Sequence, residues 1–116
     1  MDTRPSRKLL ELYQTEWCPA SRRVRQRLTE LAVDYVIHQV PAEKSDRSRL
    51  IAATGTDTIP VVVLDDGTTI ASEPAIMRWL DAHIAEPAQA KAHRERADRV
   101  RQRELAEARS LAGARQ

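Results

Sequence analysis

The chain has 116 residues, which fits one domain with a modest core. Hydrophobic residues make up 41% of it, but phenylalanine is absent and aromatics are 3%, so the core must come from Leu, Ile, Val and Ala. The formal net charge of +2 is uneven: residues 1–87 carry 11 Lys+Arg against 13 Asp+Glu and residues 88–116 carry 8 against 4, so the basic character belongs to the tail and nucleic acid, which wants stacking aromatics, is not an expected partner. No run approaches the ~18 apolar residues of a membrane span. Met1 to Lys8 is polar and lacks the apolar stretch of a signal peptide. One cysteine gives no disulfide framework, so the expected compartment is the cytoplasm, with no membrane association. Three scattered histidines (His38, His83, His93) and that cysteine lack metal-ligand spacing, so no metal is expected.

In chain order, residues 9–14 form an apolar run (Leu9, Leu10, Leu12, Tyr13), as in a strand buried on both faces. From Pro19 the pattern turns helical: Val24, Leu28 and Leu31 fall at spacings of four and three, with arginines on the other faces. Val33 to Val40 is β-branched and aromatic, reads as a second strand and ends at Pro41. Ser45 is placed to cap a short helix through Leu50, Ile51 and Ala53, closed by Gly55. Thr58 to Leu64 is the strongest strand signal, with Pro60 near its start.

Asp65-Asp66-Gly67 predicts a hairpin turn, with Thr68 to Ala71 as the return strand. Ser72 caps a further helix with Pro74 in its first turn and Ile76, Trp79, Leu80 and Ile84 on its apolar face. The order β-α-β-α-β-β-α predicts an α/β fold with a mixed four-stranded sheet: a parallel opening, an antiparallel close, and helices on the faces. Pro87 marks a boundary between a domain over 1–87 and a charged helical extension over 88–116. That extension has high helix propensity, few large apolar residues (Val100, Leu105, Leu111) and an i,i+4 spacing between Glu95 and Arg99. It is expected to be a solvated helix packed loosely on the domain, or a docking element for a partner.

Cys18 is the only thiol, and it lies between a strand and a helix N-terminus in Trp17-Cys18-Pro19-Ala20-Ser21. A helix N-terminus favours the thiolate, the reactive form. Pro19 removes one N–H donor but presets the helical φ. The Ser21 hydroxyl can reach the sulfur or cap the helix, and Arg22, one turn on, adds positive charge. The plain alternative is an inert buried cysteine. Trp17 is either a lid beside the thiol or a half-buried aromatic. Arg47 and Arg49 are either partners for a ligand carboxylate or members of a solvated face.

Cys18-Pro19-Ala20-Ser21 after a strand, Thr58-Ile59-Pro60 opening a later strand, and Ser72-Glu73 opening the next helix together resemble glutaredoxins. They also resemble the thioredoxin-fold N-terminal domain of cysteine-type glutathione transferases, and Ser72 to Leu80 is closer to the transferase version. The resemblance covers roughly residues 9–85. It implies a thioredoxin-like fold, with Cys18 as nucleophile and a cis bond before Pro60. It also implies that the Ile59 backbone meets the cysteinyl part of glutathione and that Ser72 and Glu73 hold its γ-glutamyl end. Two departures stand out. Ser21 replaces the second cysteine of many glutaredoxins, and Ser72 precedes Glu73 where the transferase order is usually acid then serine.

With one cysteine the expected mechanism is monothiol: Cys18 exchanges with a mixed disulfide and a small thiol, glutathione or a related one, then frees it. The expected partners are that thiol and glutathionylated proteins or small disulfides, with the chain a monomer or weak dimer. Two other readings stand beside this one. One is a non-enzymatic module that binds a small thiol, or an iron–sulfur cluster through Cys18. The other is an interaction protein that uses the fold as a scaffold.

Overall fold

The computed structural model describes residues 10–114; Leu9, the Met1 to Lys8 segment and residues 115–116 lie outside the described residues. The strands are β1 (Leu10–Gln14), β2 (Tyr35–Gln39), β3 (Val61–Val63) and β4 (Thr69–Ala71); the helices are α1 (Pro19–Glu30), α2 (Ser48–Thr54), α3 (Glu73–His83) and α4 (Ala90–Ala114). They form the expected mixed four-stranded sheet, in the order β2-β1-β3-β4. β1 runs parallel to β2 and antiparallel to β3, and β3 is antiparallel to β4.

Side chains alternate across a strand, so one sheet supplies two cores. Leu10, Leu12 and Val62 face one way and meet Val24, Leu28 and Leu31 from α1 and its end, and Ile76 and Leu80 from α3. Tyr13 and Val61, their neighbours in sequence, face the other way and meet Val40 and Leu50. The helical spacing of Val24 and Leu28 is therefore the stripe by which α1 covers the sheet. Trp79 and Ile84 pack at the margin of the first core, partly buried.

The hairpin forms as its sequence predicts. Gly67 takes φ +88, Leu64 N–H donates to Thr68 O at 2.8 Å, and the Asp66 carboxylate accepts from Thr68 N–H at 2.9 Å. Gly55 closes α2 in the left-handed conformation, φ +79.

Three local expectations are corrected. Ser45 does not cap a helix; it lies inside a 3-10 turn, Lys44–Asp46, and α2 starts at Ser48. The strand read over Thr58 to Leu64 is only Val61–Val63, because Pro60 has no N–H for a ladder and Thr58 N–H turns to Thr56 Oγ1. In α4 the i,i+4 ion pair is Lys91–Glu95 at 3.6 Å, not Glu95–Arg99.

Polar contacts fix the start of α4. Ala90 is fully buried. Arg94 pairs with Glu30 of α1 at 3.3 Å and with Glu86 at 2.8 Å. Arg27 of α1 reaches Glu86 at 3.1 Å and Asp81 of α3 at 3.0 Å, which joins three helices in one charged network.

Candidate active site

The register gathers the candidate residues at one edge of the sheet. Tyr13 pairs with Val61, and Val61 pairs with Ala71. The loop leaving β1 toward Cys18, the Ile59-Pro60 step entering β3 and the Ser72-Glu73 turn leaving β4 therefore emerge side by side. The Ile59-Pro60 peptide is cis, the form the resemblance implied. Neither the N–H nor the C=O of Ile59 is used in a hydrogen bond among the described residues.

Cys18 is the N-cap of α1, and its Sγ accepts from Ser21 N–H at 3.5 Å. The sulfur is neither sealed in the core nor fully exposed. Burial pushes the thiol up. Hydrogen bonding from the Ser21 side chain and from the Ser21 and Ala20 N–H groups pulls it down, helped by the charge of Arg23, and the downward effects win. The thiol therefore titrates below its ordinary value, which favours the thiolate near neutrality. Ser21 is fully buried, and its Oγ has no hydrogen-bond partner other than the sulfur among the described residues. The Ser21 proton is thus free to turn to the sulfur. Pro19 occupies the first turn of α1, as the sequence implied.

The cation that acts on the sulfur is Arg23, not Arg22. The Arg22 backbone N–H closes the first helical turn onto Cys18 O at 3.0 Å, while its exposed side chain lines a groove between α1 and α4. Arg23 is held by a two-toothed contact to Glu73, Nε to Oε1 at 2.5 Å and Nη2 to Oε2 at 2.7 Å. That contact keeps the Glu73 carboxyl below the usual carboxylate range. One guanidinium therefore links the thiol to the residue expected to meet the γ-glutamyl end.

Ser72 sits at φ +78 and ψ 145, outside the regions open to most non-glycine residues, at a cost of order 1–3 kcal/mol. Its Oγ accepts from Ala75 N–H at 3.4 Å, so it caps α3 and turns that helix's N-terminus to the thiol's edge. Trp17 is 64% exposed, which sets aside the half-buried reading.

The sequence profile of the glutathione S-transferase N-terminal domain matches residues 17–83, more than half of the chain. The chain belongs to this family. Among solved structures it is similar to a glutathione S-transferase domain-containing protein from Marinobacter aquaeolei VT8, at 34% identity over 67% of this chain and 40% of that one, with a TM-score of 0.57. It is also similar to a glutathione S-transferase from Rhodospirillum rubrum F11, at 30% identity over 69% and 38%, with a TM-score of 0.57. A third similar structure is a glutathione transferase homologue from Sulfitobacter with bound glutathione, at 25% identity over 64% and 36%, with a TM-score of 0.57. The chain thus spans about two fifths of the length of these proteins. No curated protein matches it.

The transferase N-terminal domain has the thioredoxin-like arrangement of sheet and helices described above. In this member of the family, sequence reading did not find two residues that shape the site. One is Arg23, whose partner Glu73 lies fifty positions away. The other is Arg47, read as a ligand cation or a solvated side chain; both readings are corrected. Arg47 is 4% exposed, and its guanidinium donates to Pro41 O at 2.8 Å, Ala42 O at 3.1 Å and Asp57 O at 2.8 Å. It ties the loop after β2 to the loop that delivers Ile59-Pro60. Arg49 is exposed on α2. Among the described residues no group of three or more His, Cys, Asp or Glu is placed to hold a metal ion, and no helix is long and apolar enough to cross a membrane.

Proposed function

We propose that this domain is a monothiol, glutathione-dependent thiol–disulfide oxidoreductase with Cys18 as its nucleophile. The observation that carries the proposal is a half-buried, hydrogen-bonded thiol of lowered pKa at the N-cap of α1, on the same sheet edge as the unpaired backbone of Ile59. In the first step the Cys18 thiolate attacks the glutathionyl sulfur of a mixed disulfide. The bond between that sulfur and the substrate sulfur breaks, and the substrate leaves as a thiolate that takes a proton from water. In the second step a glutathione thiolate attacks the same glutathionyl sulfur, now on Cys18, and glutathione disulfide leaves with the Cys18 thiolate regenerated.

Ser21 and Arg23 stabilise the thiolate in both steps, and Pro19 sets the first turn that aims N–H groups at it. The free N–H and C=O of Ile59 are suited to pair with the cysteinyl backbone of the tripeptide in strand-like fashion, beside Pro60. Ser72 and Glu73 offer a hydroxyl, a helix N-terminus and a carboxylate to the γ-glutamyl carboxylate and ammonium. Trp17 stands exposed beside the thiol as a flap over the bound thiol. Residues 1–87 form the functional unit and residues 88–116 an extension to it. The cytoplasm, where the glutathione pool keeps thiols reduced, is the compartment such a reaction needs. The working form is a monomer or weak dimer.

The test is reduction of glutathionylated and mycothiolated model disulfides by the purified chain, with Cys18→Ser as control. Turnover of the glutathionyl substrate that Cys18→Ser lacks supports the proposal. Equal rates for chain and variant on both substrates overturn it.

A further inference from the structure

A groove of about 530 Å³ runs between α1 and α4. Five arginines and two glutamates stand among its thirteen lining residues. Arg22, Arg96 and Arg101 line it, and none of the three has an ion-pair or hydrogen-bonding carboxylate among the described residues. Arg23 and Arg27 line it as well, already paired to acids elsewhere. Of the acids in the groove, Glu30 is taken up by Arg27 and Arg94, which leaves Glu104 at one end as the single unpaired carboxylate. The floor is a short apolar strip that includes Met77 of α3 and Val100 of α4, the latter 42% exposed.

Three uncompensated guanidiniums along one trough are stable only because water and counter-ions screen them. Each presents the planar fork that matches a carboxylate. The α1 wall of the groove starts at Arg22 and Arg23, about one turn along α1 from Cys18, the N-cap of that helix. Its α4 wall extends from His93 to Glu104, eleven steps of roughly 1.5 Å, or about 16 Å. An extended chain advances ~3.3 Å per residue, so about five residues fit along it.

We propose that the α1–α4 groove binds an acidic polypeptide segment, about five residues of Asp/Glu-rich chain carried by the protein whose mixed disulfide Cys18 reduces. The inference rests on the exchange activity proposed above and names its substrate class. Carboxylates of the segment pair with Arg22, Arg96 and Arg101, and its short apolar side chains cover Met77 and Val100.

The binding test uses the full chain carrying Cys18→Ser, so that it does not depend on turnover. The probe is a fluorescently labelled peptide of five glutamates, read by anisotropy, with a five-glutamine peptide and free succinate as competitors. The glutamate peptide is expected to bind, to weaken as salt rises, and to lose at least about tenfold in affinity when Arg96→Glu and Arg101→Glu are combined. Circular dichroism checks that the doubly reversed protein keeps its helices. No binding above the glutamine peptide, binding unchanged by the double reversal, or displacement by succinate as effective as by unlabelled glutamate peptide each overturns the proposal. In a second arm, glutathione mixed disulfides of an acidic and a neutral cysteine peptide are compared. A kcat/KM ratio favouring the acidic substrate in the parent chain and falling toward one in the double reversal supports the proposal; a ratio near one in both contradicts it. An inactive chain that still binds the glutamate peptide would defeat the exchange reading and leave the groove standing.

Discussion

Across the sheet and its first three helices, Leu12, Val24, Leu28, Val62, Ile76 and Leu80 are sealed from water, whereas among the described side chains of α4 only Ala90 is. Val100, Leu105 and Leu111, the large apolar residues of α4, are 42%, 52% and 65% exposed. The first region is held by area removed from water, which is insensitive to salt. The second is held to the first by Arg94, Arg27 and their carboxylates at its N-terminal end, and beyond them by its own helix propensity. The contrast teaches that the site belongs wholly to the apolar region, while the charged region contributes one wall of a groove beside it. The two should therefore come apart under different stresses.

The largest difference is expected from truncation. Leu28→Ala, at a fully buried position on α1, should destabilise the fold by about 2–5 kcal/mol in denaturant titrations. Leu111→Ala on α4 should stay within about 0.5 kcal/mol of the parent. Equal losses at both positions would erase the comparison.

Next comes Arg47. Arg47→Met removes a guanidinium that satisfies three carbonyls, two of the loop after β2 and one of the loop before Pro60, and should cost roughly 2–4 kcal/mol. Amide exchange should rise around Asp57 to Ile59, with little change in α4. Arg47→Lys should recover only part of this, since an ammonium cannot span the three acceptors as a planar fork does.

A smaller effect is expected from Arg94→Gln. Its pairs are partly exposed and screened by water, so global stability should change little, while amide exchange in the first turns of α4 should accelerate. Raising salt in the parent should produce the same local loosening. Lowering pH should do so as well. The Glu86 carboxyl is held below its ordinary range by hydrogen bonds from Arg94 and Arg27, so its contribution is complete above the ordinary carboxylate pKa. It is lost as pH falls through the lowered value.

Much of this arrangement was legible in the sequence where the signal was local. The strand-to-helix junction at Cys18, the Asp66-Gly67 turn and the Ser72 cap each need only a few neighbouring residues, and each formed as read. The misses share a cause: distance along the chain. Arg22 and Arg23 are alike in sequence, and what separates them is Glu73, which a different helix brings within reach. Arg47 looks like any surface arginine until Pro41, Ala42 and Asp57 close around it. Ser45 has the chemistry of a helix cap, but the 3-10 turn over Lys44–Asp46 takes it up, and α2 starts only at Ser48.

The smallest expected change falls within the site. Arg23 is one of several influences that lower the Cys18 thiol, after the hydrogen bonds of Ser21 and Ala20. Arg23→Gln should therefore move the thiolate midpoint upward without abolishing it, and should not change how α4 packs. An unchanged midpoint would remove Arg23 from the account.

The most direct measurement is the pH dependence of Cys18 alkylation by iodoacetamide in the folded chain, compared with the same chain unfolded in urea. Below its midpoint the rate falls as the thiolate is lost. The folded midpoint should lie below the unfolded one, so that at any given pH more of Cys18 is thiolate in the folded chain than in the unfolded one. A folded midpoint at or above the unfolded one would contradict the account, because no ionised sulfur would then stand ready at the N-cap of α1.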